Sequence, residues 1–273
     1  MRQDFVLDWL GGAAEKRFRR ARPEEDLPWE TFRPSDYDER VLTDARAWWT
    51  ELAANELAAV IQFSSVLSAL ACSQAPLDLV GMTSDFLADE CAHVELGARA
   101  AMTLGGAAPR TVDFEQAMRT PPPGLTPAQW AAERVLRVSC VAEVLAESAA
   151  ARTYLACTEP LPRALYTSIL RDEVYHKQLG ALYIEYAYET WDEAERERLG
   201  RVVADELLKF RGLWGGVARD AVGPTIPEHK LGFLKPAELA SVTLEAALTK
   251  IVKPLAEIDI VLTEAEHERI FAA

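Results

Sequence analysis

Two short stretches of this chain carry residue types that can do chemistry together. Asp172-Glu173-Val174-Tyr175-His176 and Asp89-Glu90-Cys91-Ala92-His93 are two copies of one pattern, Asp-Glu followed by His. On a helix, residues i and i+3 lie on one face, so Glu173 points with His176 and Glu90 with His93. A carboxylate oxygen and an imidazole nitrogen on one face, present twice, can act as two halves of a metal site. The chain has four histidines, and two of them fall here. The others, His229 in the loop-rich tail and His267 near the C-terminus, read as exposed.

Such a site needs long helices to position it, and the apolar spacing supplies them. Trp48, Leu52, Val60, Phe63, Leu67 and Leu70 predict a first long helix from an N-cap at Ser35 to about Cys72. The tight connection Ser73 to Pro76 leads into a second helix over about 77–104, which makes the two antiparallel neighbours. Gly105-Gly106 ends it. A linker through Pro121-Pro122-Pro123-Gly124 is long enough to cross the bundle. Thr126-Pro127 then starts a third helix, to about Cys157. A fourth covers about 163–191, a fifth about 193–214, and further helical patterns lie near 236–251 and 263–271. The fold class expected is all-α: two antiparallel hairpins joined by a long crossover, with extra N- and C-terminal helices. Residues 1–34 form an N-terminal extension, 35–191 the four-helix core, and 192–273 additional helices on the same domain. A short helix is expected around 4–18. The basic run Lys16, Arg17, Arg19, Arg20 and Arg22 reads as a solvated face packed on an acidic body.

Each hairpin should bring one more carboxylate from its first helix. In helix one it is Glu56, in the nearly charge-free run Ala53-Ala54-Asn55-Glu56-Leu57-Ala58-Ala59-Val60. A carboxylate in an apolar stripe is costly unless neutralised or coordinated. Helix three offers Glu143 and Glu147, one turn apart. Glu143 is preferred, because its separation from Glu173 better matches that of Glu56 from Glu90. Glu147 stands as an alternative or additional ligand. Glu51 and Glu133 sit in more polar surroundings and read as surface.

On these residues the chain, over about 36–191, resembles the ferritin-like dimetal carboxylate superfamily, in which two helices give one Glu each and two give Glu-x-x-His. The resemblance implies the ligand set Glu56, Glu90, His93, Glu143, Glu173 and His176 around two iron ions, with a manganese-iron pair as the variant. Four carboxylates balance two divalent ions, and six side chains leave open coordination positions. The preceding acids Asp89 and Asp172 resemble those that hydrogen-bond the histidines across the site and fix their tautomers. The Asp-Glu-x-x-His form is similar to the oxidase and oxygenase branches. Ala92 and Tyr175 stand where the best-known hydroxylases and ribonucleotide reductase small subunits often carry Arg. Ile169 stands where arylamine N-oxygenases carry a further His. The implied function is an O₂-activating diiron oxidase or oxygenase acting on a small organic substrate. The alternatives are an iron-oxidising, iron-handling protein and a scaffold that kept its ligands. O₂, that substrate, an electron donor and a second copy of the chain are the partners this reading allows.

Around the motifs, Tyr175, Tyr183, Tyr186 and Tyr188 read as core with hydroxyls at the bundle edge. The small run Gly97-Ala98-Arg99-Ala100-Ala101 fits either a substrate pocket or close helix packing. The totals set outer bounds. The chain has 273 residues, 49% hydrophobic and 26% charged, ordinary for a soluble domain with a real core. A net charge of −14 disfavours nucleic acid and anionic membrane surfaces, which need basic patches. The acidic residues in MRQDFVLDWLGGAAEKRF do not read as a signal peptide, and 57–72 is short and polar for a bilayer span. Cys72, Cys91, Cys140 and Cys157 form no CxxC pair and read as reduced, mostly packing thiols of a cytoplasmic protein.

Overall fold

The apolar spacing upstream of the first motif produces a helix over Glu39–Cys72 (α2), preceded by a short helix over Gly12–Ala21 (α1). The computed structural model describes residues 3–114, 118–219 and 231–271, with 212–219 as backbone alone. Within these the chain is mostly helical. α3 spans Leu77–Thr103, and α4 spans Pro127–Val135. A π-helical segment, Leu136–Ala142, leads without a break into α5, Glu143–Ala156. α6 spans Pro160–Ala187, α7 Glu193–Arg219, α8 Pro236–Ala246, α9 Lys253–Ala256 and α10 Glu264–Phe271. Strand among the described residues amounts to Gln3–Asp4, paired antiparallel with Thr111–Val112.

α2 packs along α3 and against α4, α3 against α6, and α6 against α5 and the π segment. The turn between α2 and α3 works because Gln74 takes the left-handed conformation, φ 57°. Gly97 is a packing residue: a Cβ there would lie 2.9 Å from Leu52 Cδ2 and 3.1 Å from the Ala53 backbone nitrogen. Of the two readings of the small run, close helix packing therefore holds at Gly97. α4 starts where Thr126 and Gln129 form a capping box. α7 lies on α4 and the π segment, α8 on α5 and α7, and α10 on α7.

The helix starts differ from expectation at two places. Ser35 does not cap α2: Pro34–Asp36 closes a 3₁₀ turn, and the helix begins after Asp38, whose carbonyl accepts from Leu42 N–H. The proline favours the tight turn, which uses up Ser35 before the helix can start. The N-terminal helix begins at Gly12 rather than near Asp4, because residues 3–4 are in the strand pair and Gly11 and Gly12 both have positive φ.

The apolar core falls into two clusters. One gathers Phe63, Val66, Leu70, Phe86, Leu136, Tyr183 and Trp191; the other gathers Leu42, Trp49, Ala100, Leu104, Leu165 and Tyr166. On α2, α3 and α6 the stretch between the two clusters carries Glu56, Glu90 with His93, and Glu173 with His176. A polar layer therefore crosses the middle of the bundle. Among the described residues α2 alone is long and apolar enough, by length and composition, to cross a membrane. The same helix brings Glu56 to the polar layer and packs on α3 and α4, with 22% of its apolar window buried.

Candidate metal centre

Both Glu-x-x-His pairs face the middle of the bundle. Glu90, His93 and His176 are 0% exposed, Glu173 3% and Glu143 5%; Glu56 is half-buried. Two overlapping groups form. In the first, ligand atoms of Glu56, Glu90, His93 and Glu173 lie within 4.8 Å of one another; in the second, those of Glu90, Glu143, Glu173 and His176 do. Glu90 and Glu173 belong to both groups. The six sequence candidates are thus brought together, and the cluster could hold metal ions.

Glu147 stays outside. Its carboxylate accepts a hydrogen bond from Lys177 Nζ at 2.9 Å and faces Lys250 Nζ at 3.4 Å. Burial would raise its pKa, but Lys177 and Lys250 hold it below the ordinary range. One turn of helix separates it from Glu143, and that turn moves it from the interior to a lysine-lined edge.

The two histidines are oriented alike. His93 Nδ1 lies 3.7 Å from both Glu90 Oε2 and Glu173 Oε1. His176 Nδ1 lies 3.0 Å from Glu90 Oε1, 3.6 Å from Glu143 Oε2 and 3.7 Å from Glu173 Oε2. Each Nε2 points outward to the aspartate of the opposite motif: His93 to Asp172 Oδ2 at 3.3 Å, His176 to Asp89 Oδ2 at 3.4 Å. With Nε2–H donating to the aspartate, Nδ1 is the ring atom left facing the carboxylates, which is the orientation a metal ligand needs. Phe63 and Phe86 close the His176 side, with ring centroids 5.4 and 4.4 Å from the imidazole.

The electrostatics are those of a site short of positive charge. Burial, with Glu90 next, pushes the Glu56 carboxyl well above the usual range; burial and Glu173 do the same to Glu143. Burial would also raise Glu90, but the proximity of the His176 and His93 imidazoles holds it at about 2. Burial would lower His93 and His176, yet Asp172 and Glu90 raise the first well above its ordinary value, and Asp89 and Glu143 raise the second. The decisive observation is what remains unpaired. Glu90 Oε1 and Oε2, Glu173 Oε2, His93 Nδ1 and His176 Nδ1 are all buried without a hydrogen-bond partner. Buried polar atoms are rarely left so, and each costs about 1–3 kcal/mol. Five of them, on residues of metal-ligating type that fall in the two overlapping groups, fit bound cations.

Residues that composition and spacing did not single out surround this layer. Arg22 Nε lies 2.5 Å from Asp89 Oδ1, and Arg171 Nε donates to Asp172 Oδ1 at 3.1 Å. The basic run does meet acids on the bundle, as expected, since Arg19 also pairs with Glu95 at 2.7 Å. No sequence signal marked Arg22 within that run; Arg171 is flagged only by preceding Asp172. A cavity of about 300 Å³ lies between residues 19–25 and α3 and α6, and reaches His93 and Asp172.

Other expectations divide. Glu133 is not surface: it is 7% exposed, bonded by Arg137 Nε at 3.0 Å and by Arg198 Nη1 at 3.0 Å. Its neighbours Arg134 and Arg137 are buried too, the first bonded to Ser65 on α2 and the second to Glu206 on α7. Tyr183 is core, but Tyr175 and Tyr186 are exposed, since α6 turns those positions outward. Cys157 is buried and Cys140 half-buried, whereas Cys72 and Cys91 are exposed rather than packed. Ile169 is buried and apolar, so no third histidine stands there. His267 is exposed, and His229 lies outside the described residues. No protein-family model matches the chain, and no curated protein matches it.

Proposed function

We propose that this chain is a ferritin-like dimetal carboxylate protein whose centre holds two ions, iron in both positions or manganese in one, and that it is an O₂-dependent oxidase or oxygenase of a small organic substrate. The observation that carries the reading is the set of five unpaired buried atoms on Glu90, Glu173, His93 and His176. Glu56 and His93 would hold one ion, Glu143 and His176 the other, and Glu90 and Glu173 both. When bound, the metals supply O₂ reduction and redox equivalents.

The chain's own residues set the conditions for that chemistry. Four carboxylates neutralise two divalent cations inside a layer bounded by apolar clusters above and below, where an uncompensated charge is costly. Asp89 and Asp172 would accept from Nε2–H of His176 and His93 and so aim both Nδ1 atoms inward. Phe63 and Phe86 exclude water on the His176 side. A retained, re-usable centre needs an outside electron donor, which we place among the partners together with the substrate.

The test is to load the full chain with excess Fe(II), expose it to O₂, and count iron per chain after desalting. The reading predicts about two ferric ions retained, and sustained O₂ uptake only when a reductant is supplied. Tens of ferric ions per chain in a soluble core, with O₂ consumed in proportion to iron, would replace the oxygenase reading with iron handling.

A further inference from the structure

The segment that precedes the bundle reaches both histidine–aspartate pairs. Asp89 divides its carboxylate, with Oδ2 3.4 Å from His176 Nε2 and Oδ1 2.5 Å from Arg22 Nε. Asp172 does the same, with Oδ2 3.3 Å from His93 Nε2 and Oδ1 accepting from Arg171 Nε at 3.1 Å. Arg171 is in turn held by Glu25, whose Oε1 accepts from Arg171 Nη2 at 2.7 Å and from Ser168 Oγ at 2.6 Å. Four consecutive residues, Arg22-Pro23-Glu24-Glu25, thus touch one aspartate directly and the other through one arginine.

The cavity beside them does not by itself select a ligand. Its guanidiniums already face carboxylates: Arg19 with Glu95, Arg22 with Asp89, Arg99 with Glu24 at 2.6 Å, and Arg171 with Glu25 and Asp172. It is the seam along which residues 19–25 dock, and that docking is ionic. No residue of α1 is buried. A segment held by paired charges on solvated seams is only weakly docked, since such pairs each give about 0–1 kcal/mol.

We infer that Arg22-Pro23-Glu24-Glu25 is a positioning element of the metal centre, orienting His176 through Asp89 and His93 through Arg171 and Asp172, so that docking of the N-terminal segment and metal binding are linked. The inference rests on the metal reading above and adds a residue, Arg22, that lies outside the bundle. Asp89 without Arg22 has an unopposed oxygen and is free to rotate away from Nε2; the imidazole then loses the bond that aims Nδ1 at the carboxylates. Losing such an outer partner typically weakens metal affinity about 10–100-fold. Linkage is reciprocal, so metal must hold the segment down by the same factor by which the docked segment tightens metal.

The experiment uses the full chain and Mn(II) as a redox-silent probe. Free Mn(II) is counted by electron paramagnetic resonance for the wild type, Arg22→Gln, Asp89→Asn and the double variant. Hydrogen exchange of residues 12–25 is followed with and without Mn(II). Arg22→Gln should weaken the ion near His176 about 10–100-fold. The double variant should be no weaker than Asp89→Asn alone, because both changes break one chain of contacts. Mn(II) should slow exchange over 12–25. If circular dichroism shows Arg22→Gln unfolded, Glu25→Gln serves instead and should weaken only the ion near His93. Wild-type affinity in Arg22→Gln, losses that multiply in the double variant, or exchange indifferent to Mn(II) would each overturn the inference while leaving the metal reading intact. A wild type that binds no Mn(II) or Fe(II) would overturn both.

Discussion

Replacing Glu143 by Gln should move stability and metal binding in opposite directions. Glu143 is 5% exposed, and burial with the nearby Glu173 pushes its carboxyl well above the usual range. In the metal-free fold it is therefore an acid in a place that disfavours its charge. Gln keeps nearly the same volume and cannot ionise. A carboxyl whose folded-state pKa is raised costs stability above its unfolded pKa, up to about 3 kcal/mol at neutral pH, and Gln removes that cost. For a chain of this size about 1 kcal/mol shifts the melting temperature by roughly 2–4 °C. Metal-free Glu143→Gln should then melt no lower than wild type, and up to roughly 10 °C higher. The same change takes an anionic ligand from the group around His176, so the variant should retain about one ion instead of two. Glu147→Gln is the contrast. It loses half-exposed pairs to Lys177 and Lys250, worth about 0–1 kcal/mol, and should keep both ions. Thermal melts in chelator and in Mn(II), with metal counted by mass spectrometry, read both quantities. A Glu143→Gln protein that melts lower in chelator yet keeps both ions would show that Glu143 is structural, and the reasoning would fail.

Metal affinity should weaken as pH falls. In the metal-free fold the pKa values of His93, His176, Glu56 and Glu143 are all raised, so these groups hold protons near neutral pH that a metal must expel, whereas Glu90, at about 2, contributes none. Binding should tighten roughly tenfold per pH unit for each proton released, measured by chelator competition across neutral pH; a flat profile would contradict the assignment. Gly180→Ala should destabilise the bundle by about 1–3 kcal/mol in urea, because a Cβ there would fall 2.5 Å from Cys140 Sγ where α6 crosses the π segment. Adding Cys140→Ala should restore most of the loss; no recovery would mean that the strain lies elsewhere.

The long helices and the six clustered residues were legible because their signals are local and periodic. Glu56 stands alone in an apolar run, and each Glu-x-x-His lies on one helical face. The choice of Glu143 over Glu147 was legible only as a matter of spacing. The structure sets Glu147 against Lys177 and against Lys250, a residue of the distant π-helical turn Ala247–Val252 that no local pattern links to it. The π segment over Leu136–Ala142 left no trace in the pattern, because Leu136, Val138 and Val141 are buried on several sides and show no single stripe. Glu133 misled for a related reason. Its charge suits a surface until Arg137 and Arg198 meet it inside. Arg22 was hidden in a basic run in which only tertiary packing singles out one guanidinium for Asp89.

The central claim is that one polar layer of the bundle is a two-metal centre. Crystals of the full chain grown with Fe(II) under anaerobic conditions, or with Mn(II), and measured at the metal absorption edge test it directly. The account predicts two anomalous peaks per chain, one beside His93 and Glu56 and one beside His176 and Glu143, with Glu90 and Glu173 reaching both. No peak in this layer, or a single one on surface acids with the five buried atoms bonded to water, would contradict it.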